Sequence, residues 1–294
     1  MTIIENYLDR SPEQAKRIIG INLDQFQELV KQAEVIHHQK QQARPRLIQG
    51  GGGRRRKLSV KQEVLLTLVY LNQFPTFLML GIQFEVSEST AHDIFHYWVK
   101  TLSEILPASL MEQVKKKESE REWIEEVLTD LELIVDSYQQ PIPRPSDPKE
   151  EPKYYSKYKA GHTFKNQLII TPNGREIVDG VVGCRGPTSD LKLWQSRQHK
   201  FSKNQPFQGD TAYIGESTIS TPQKKPRLGK LTPEQKEENR QKSKKRIRVE
   251  HLIRLVKIFR IASERFRLHA KSYPPIMALI YGLVRYRIGA FIFS

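Results

Sequence analysis

The sequence predicts a helical N-terminal region containing a helix-turn-helix, followed by an α/β domain with a mixed sheet. Apolar residues recur at helical spacing between residues 22 and 106, which is the mark of amphipathic helices. From residue 131 the pattern turns to strand-like runs, two of them joined by Asn173-Gly174, and a long helical segment after Thr232 closes the order. An all-helical stretch followed by mixed strands and helices implies more than one domain, and 294 residues suffice to bury two cores.

Composition narrows the function classes. With 38% hydrophobic and 28% charged residues the chain is globular rather than disordered. Its formal charge is +15, and residues 223–260 hold 14 Lys and Arg against four Glu, a net of about +10. A block of that kind favours a polyanion, with nucleic acid the expected partner. The single cysteine, Cys184, excludes an internal disulfide and a cysteine metal cage, and suits a reducing cytoplasm. Residues 1–10 lack the apolar core of a signal peptide. The apolar run 276–293 is interrupted by Arg285 and Arg287, so it reads as a buried C-terminal element and not a membrane span.

Taken in order, residues 11–40 read as two short helices, the first opened by Ser11-Pro12 and the second carrying Leu23, Phe26, Leu29 and Val30 on one face. Gly50 to Gly53 followed by Arg54, Arg55, Arg56 and Lys57 form a flexible basic arm, or a solvated linker without a ligand. Ser59 caps a helix that runs to Phe74 and is ended by Pro75. A short helix over 76–84 leads through Val86-Ser87-Glu88-Ser89-Thr90 into a third helix reaching about Leu106. That layout is a helix-turn-helix, with Ser89, Thr90, His92 and Asp93 placed to face base edges. A plain three-helix bundle with Ser87 as a cap is the simpler alternative.

Residues 111–128 are charged and helical and serve as a connector. The apolar run ending in Val135-Asp136 then delivers a carboxylate at the end of a buried strand, which Pro141, Pro143 and Pro145 stop soon afterwards. Residues 162–171 and 175–183 form a hairpin around Asn173-Gly174. Ser189-Asp190 caps a short helix with Leu191, Leu193 and Trp194, and residues 206–210 return to a strand end at Asp210. A polar, basic excursion over 217–230 precedes Thr232-Pro233-Glu234-Gln235, a capping-box start for a helix reaching about Phe266, with room for a break. Val249, Leu252, Ile253, Val256 and Phe259 make its apolar stripe, with Arg246, Glu250, Arg254 and Lys257 on a neighbouring face.

Strand, hairpin, helix, strand, helix, with acids at Asp136, Asp210 and Glu250, is the order of a ribonuclease-H-like fold. The acids lie 74 and 40 residues apart, so only the fold can bring them together. Singly, each has a simpler role: an Asp at a strand end is most often a turn former, and Glu250 could pair with Arg246 and Arg254. Converging carboxylates need cations, and hard oxygen ligands suit two Mg²⁺ or Mn²⁺ ions about 3.5 to 4 Å apart, the arrangement of phosphodiester cleavage and strand transfer. His162, His251 and His269 are too scattered for zinc. His162 and Lys165 are expected as neighbours of Asp136 across the sheet, with Lys165 holding a DNA phosphate.

These segments together resemble the DDE-superfamily transposases of bacterial insertion sequences, in the group similar to eukaryotic Harbinger elements. The resemblance rests on Phe26-Gln27-Glu28-Leu29, the Gly-rich arm with its Arg-Arg-Arg-Lys-Leu-Ser, Val86 to Thr90, and Val135-Asp136 with Pro141-Ile142-Pro143-Arg144-Pro145. Tyr154-Tyr155, His162 to Gln167, Gly209-Asp210-Thr211-Ala212-Tyr213 and Arg246 to His251 extend it over roughly residues 15–270. It implies that Asp136, Asp210 and Glu250 each ligate metal. Asp190 takes the position of an Asp usually preceded by His, here Ser189, and is a helix cap first and a catalytic auxiliary second. Ser137-Tyr138 and Thr211-Ala212 depart from the usual Gly-Thr and Ser-Gly, and the hydrophobic C-terminus departs from a polar helix end.

The resulting expectation is a DNA transposase with a helical segment over 1–48, a basic arm and helix-turn-helix over 49–110, a connector over 111–130 and a catalytic domain over 131–294. Arg54, Arg55, Arg56, Lys57, Ser89, Thr90, His92, Asp93, Lys244, Lys245, Arg246, Arg248 and Arg254 would contact DNA. The partners are double-stranded DNA, as terminal inverted repeats and target, and further copies of the chain, in the cytoplasm at the nucleoid, with no membrane and no small-molecule substrate. The alternatives are an inactive or domesticated DNA-binding protein and an endonuclease that only hydrolyses.

Overall fold

The computed structural model describes residues 2–43, 56–115, 118–226, 229–291 and 293, with 118–121 described by backbone alone. The chain divides into two units, Met1–Leu106 with Ile258–Ser263, and Pro107–Lys257 with Glu264–Ser294.

In the first unit, helix α1 (Ile3–Arg10) begins with a Thr2/Glu5 capping box. Ser11-Pro12 opens a 3₁₀ turn, Pro12–Gln14, that passes into the one-turn helix α2 (Ala15–Ile18). The first expected helix is therefore shorter than the sequence suggests, and α1, unanticipated, precedes it. Asn22 caps α3 (Leu23–Gln42), which buries Phe26, Leu29, Val30 and Ala33 at helical spacing. Gly50 to Gly53, Arg54 and Arg55 of the expected basic arm lie outside the described residues.

Ser59 and Gln62 close a capping box on α4 (Val60–Gln73), whose residues 63–72 are all buried, making it the central helix of this unit. Phe74 ends it in the left-handed conformation (φ 51°) before Pro75. Thr76 caps α5 (Phe77–Phe84), and Ser87 caps α6 (Glu88–Ile105). The turn between them is tight enough that a Cβ on Gly81 would stand 2.7 Å from the Val86 carbonyl oxygen. Glu85 turns the chain with φ 56°, and α6, which packs on α4 and α5, buries Ala91, Phe95, Trp98, Val99 and Leu102. Helix, tight turn, helix is the layout the sequence predicts for this segment.

The second unit starts with α7 (Leu110–Val114) and α8 (Glu118–Thr129), two helices in place of the single expected one. Strand β1 (Leu133–Pro141) runs through the centre of the sheet. Helix α9 (Glu151–Tyr154) and the short β2 (Tyr155–Ser156) lead to β3 (Gly161–Ile170), which pairs antiparallel with β1 from Ile134↔Ile170 to Pro141↔Thr163. β4 (Ile177–Arg185) returns along β3 after a turn in which Gly174 has φ 70°, as Asn173-Gly174 predicts. Ser189 caps α10 (Asp190–Gln195). β5 (Phe207–Gln208) joins the other edge of β1 in parallel, and β6 (Ile219–Ser220) pairs in parallel with β5. The order β4-β3-β1-β5-β6, antiparallel on one side and parallel on the other, is the ribonuclease-H-like arrangement.

Strand β6 lies inside the stretch expected to be an irregular polar excursion, because Ile219 is one apolar residue in a polar run and its pairing is set by β5. Helix α11 (Pro233–Lys257) begins at the expected Thr232/Gln235 box and stops short of Phe266. Residues 258–263, including α12 (Arg260–Ser263), belong to the first unit and pack on α4. After the 3₁₀ turn Ala270–Ser272, α13 (Tyr273–Arg287) is almost wholly buried, and no described helix is long and apolar enough to cross a membrane.

Arg285 shows why a charge can sit in α13. It is 0% exposed, yet Nε and Nη2 meet both Glu176 carboxylate oxygens at 2.5 and 2.9 Å, and Nη1 and Nη2 donate to the Pro107 carbonyl and Gln113 Oε1, each at 2.8 Å. Every nitrogen is satisfied, and the partly buried Glu176 would lose its cation without it. Arg285→Ala should lower unfolding stability by about 3 to 5 kcal/mol in urea titration, whereas an exposed control such as Lys244→Ala should change it by less than about 0.5 kcal/mol.

Candidate active site

The alternation of β1 sends its residues to two faces of the sheet. Leu133 and Val135 enter a core with Ile169, Val178, Trp194, Phe207 and Tyr213, and Ser137 continues that face toward α10. Asp136, Tyr138 and Gln140 occupy the other, where the Tyr138 hydroxyl meets that of Tyr281 at 2.9 Å and Tyr273 donates to Gln140 at 2.8 Å.

Asp136 does not end its strand. β1 runs on to Pro141 because β3 keeps pairing with it over that length. What ends near Asp136 is the other edge: the parallel ladder with β5 stops at Ile134↔Gln208. The carboxylate therefore sits on a rigid central strand at the point where one edge opens, and that supplies the rim position the sequence predicts.

Asp210 arrives from the same edge, two residues beyond β5. Its carboxylate accepts the Ala212 N–H at 2.8 Å and opens the 3₁₀ turn Thr211–Tyr213. Gly209 is required by close packing, since a Cβ there would lie 2.7 Å from the Tyr213 ring. Tyr213 is fully buried and its hydroxyl accepts from Gln167 Nε2 at 2.9 Å. The Gly-Asp-x-x-Tyr segment is thus a turn anchored at its far end by Tyr213, which fixes where Asp210 stands.

Asp136 accepts its own Ser137 N–H at 2.8 Å and meets Arg246 Nη2 at 3.4 Å. Burial pushes its pKa up from 3.8 to about 6, and the nearby Asp210 charge pushes the same way, while Arg246 and the Ser137 N–H oppose them. The two acids are close enough to feel each other, and one guanidinium does not fully neutralise them. Among the described residues Arg246 Nε is buried without a hydrogen-bond partner, so this cation is itself held in an incomplete site.

On the opposite face, Asp190 accepts from Ser137 Oγ, and from Lys165 Nζ at 3.1 Å. Gln167 Nε2 adds a bond to the Asp190 carbonyl at 3.1 Å. The helix cap expected of Asp190 is made by the Ser189 side chain, which accepts from the Lys192 N–H. Asp190, the first helical residue, points its carboxylate at Ser137 and Lys165. The register corrects a second expectation: Asp136 faces Leu168, and Lys165 faces Gln139, so Lys165 reaches Asp190 in place of Asp136. His162 lies six residues from Leu168 along β3, about 20 Å away, where it pairs with Glu151.

Glu250 is exposed on α11 one turn after Arg246. At ~3.6 residues per turn Arg246, Glu250, Ile253 and Lys257 share one stripe. Arg246 touches Asp136, and Lys257 lies 5.5 Å from the centre of the Tyr138 ring, so the stripe containing Glu250 is the one turned to β1. Among the described residues no three His, Cys, Asp or Glu side chains converge closely enough to hold a metal ion. The structure therefore couples Asp136 with Asp210, ties Asp190 to the adjoining Ser137, and leaves Glu250 on the facing stripe without contact to either.

The remaining polar candidates fall into two groups. Ser89, Thr90, His92 and Asp93 are all exposed on the first turns of α6, with Thr90 bonded to Ser87 at 2.7 Å and His92 to Asp93 at 3.1 Å. Lys57 donates to the Glu85 carbonyl and Arg56 meets Glu63 at 3.4 Å. On α11, Lys244 and Arg254 are exposed, Lys245 pairs with Glu132 at 2.6 Å, and Arg248 donates to the Asn173 carbonyl at 3.1 Å.

The family model described as DDE superfamily endonuclease matches residues 135–285, just over half of the chain and all three acids. The chain belongs to the DDE superfamily endonucleases. A second model, the helix-turn-helix of DDE superfamily endonuclease, matches residues 56–108, the segment holding α4, α5 and α6. The chain is also 29% identical over 294 residues to a protein of Microchaete diplosiphon named "Probable transposase for insertion sequence element IS702", covering 97% of this chain and 98% of that one. No solved structure matches it.

Sequence reasoning missed Gln167 and Tyr213 as the supports of the Asp210 turn. Both lie in segments that carried the family resemblance, but nothing in their spacing says that they bond each other. The raised Asp136 pKa has a measurable consequence. Folding binds a proton there between about pH 4 and pH 6, so its contribution to stability is full below that window and is lost as pH rises through it. Relative to wild type, Asp136→Asn should gain about 3 kcal/mol across the window and level off above about pH 6 in denaturant titrations without divalent ions.

Proposed function

We propose that the chain is a DNA transposase, in which α5 and α6 bind element ends and Asp136, Asp210 and Glu250 serve cutting and joining of strands. The observation that carries this reading is the coupling of Asp136, fixed on the central strand, to Asp210 at the end of β5, in a member of the DDE superfamily endonucleases. The Microchaete relative, alike over nearly its whole length, supports the transposition step.

The donor set fits a hard divalent cation, Mg²⁺ or Mn²⁺. Its acids are oxygen ligands, and Asp136 and Asp210 carry more negative charge than Arg246 offsets. Two bound ions would supply an activated water or 3′-hydroxyl and a stabilised leaving oxygen. The chain's own residues do the positioning. β1 holds Asp136 rigid, Tyr213 and Gln167 fix the Asp210 turn, and Arg246 offsets charge on Asp136 in the resting enzyme. Glu250 completes the acid set from α11 on the Arg246 stripe. Asp190, held by Lys165 and Ser137, is an auxiliary, and His162, remote from the acids, has a structural part.

The basic stretch over 223–260 and the arm at Arg54 to Lys57 hold phosphates, while Ser89, Thr90, His92 and Asp93 read bases. Lys244, Lys245, Arg246, Arg248 and Arg254 lie along α11 for the same strand. Two ends must meet, so copies of the chain assemble on DNA at the nucleoid.

Two measurements check these statements. Supercoiled plasmid carrying the element's ends should be nicked with Mg²⁺, and Asp136→Ala should lower nicking by on the order of a thousandfold or more while gel retention persists. Wild type that binds and never cuts identifies an inactive DNA-binding protein, and nicking without joined products identifies a hydrolytic endonuclease. Affinity for the same DNA should fall by roughly a thousandfold or more between 50 and 200 mM salt, as expected when several phosphates are neutralised. A flat response would remove the basic stretch from the interface.

A further inference from the structure

Helix α6 carries two histidines four residues apart, His92 and His96. Side chains at that spacing lie one above the other on a single helix face, and two histidines so placed are a recurrent way of holding a transition-metal ion. Here the rings meet: their centres are 4.4 Å apart and their planes are inclined at 58°. Two imidazoles bound side by side to one ion, with metal–nitrogen distances of about 2.0 to 2.1 Å, have ring centres about 4.5 to 5.2 Å apart. The half-exposed His92 side chain reaches that separation by a small rotation.

Two further observations favour an ion over a plain ring contact. His92 Nδ1 lies 3.1 Å from Asp93 Oδ1. A carboxylate there keeps the proton on Nδ1 and leaves the Nε2 lone pair for a metal, and metal-ligating histidines are almost always held in this way. His96 makes no hydrogen bond among the described residues, and its ring nitrogens are not sealed from solvent. Burial, and after it the charge of His92, lower the His96 pKa, so the ring is in its neutral, ligating form near pH 7.

We propose that His92 and His96 hold one transition-metal dication of the Zn²⁺ class, with Asp93 as the positioning residue on His92. Imidazole nitrogens select such an ion over Mg²⁺, which prefers oxygen, so Mg²⁺ at the acids and Zn²⁺ here do not compete. Two protein ligands leave the other positions to water, in keeping with the absence of three converging ligands among the described residues. The site rests on α6 alone and stands whether or not the chain moves DNA.

Isothermal titration calorimetry with Zn²⁺ tests it, on tag-free full-length protein in excess Mg²⁺. Wild type should bind one Zn²⁺ whose affinity His92→Gln and His96→Gln each lower by about tenfold or more, since ligands matter at least as much as their supports. Asp93→Asn, which keeps the shape and removes the charge, should lower it by about tenfold while thermal unfolding without metal stays at the wild-type temperature. His199→Gln, an exposed histidine of the other unit, should bind as wild type does. His92 is exposed, so its variant keeps the test decisive if His96→Gln does not fold. An absence of Zn²⁺ binding, or an affinity unchanged in His92→Gln, overturns the site and assigns the two rings to packing beside Phe77. An affinity unchanged in Asp93→Asn alone overturns the positioning role.

Discussion

The second unit depends on a difference between the two edges of β1. On one edge β3 pairs with it as far as Pro141, and on the other the ladder with β5 stops at Ile134. A strand supported on one side and released on the other is stiff enough to fix a side chain and open enough to expose it. Asp136 stands two residues past that release. A full ladder would cover it, and without β3 its position would be as loose as that of a loop residue.

From that release point the electrostatics follow. Asp136 is largely buried beside Asp210, with only Arg246 and one backbone N–H opposing the cost of its charge. A carboxylate with its pKa raised in this way costs stability near neutral pH, the kind of perturbation that clusters at functional sites. Arg285 is the contrasting case in the same unit: a buried charge with every nitrogen paired, which serves packing. The two show how burial of charge divides between a site and a scaffold.

Much of the local structure is legible in the chain itself. Caps at Ser59, Ser87, Ser189 and Thr232 announce their helices because a side-chain oxygen three residues before a backbone N–H is a local matter. Asn173-Gly174 announces its hairpin for the same reason. Strand β6 and the true extent of β1 were not legible, since each is set by a partner strand distant in sequence.

The sequence by itself determined most of the longer helices, the hairpin at Asn173-Gly174, the basic stretch and the family. Residue type and short-range spacing are enough for these. Only the tertiary structure decided that Lys165 serves Asp190 and not Asp136, that Gln167 and Tyr213 brace the Asp210 turn, and that Arg246 lies on Asp136 while Glu250 stays exposed. Each of these depends on strand register or on which helical stripe faces the sheet, and a one-residue shift in either moves every side chain to another neighbour.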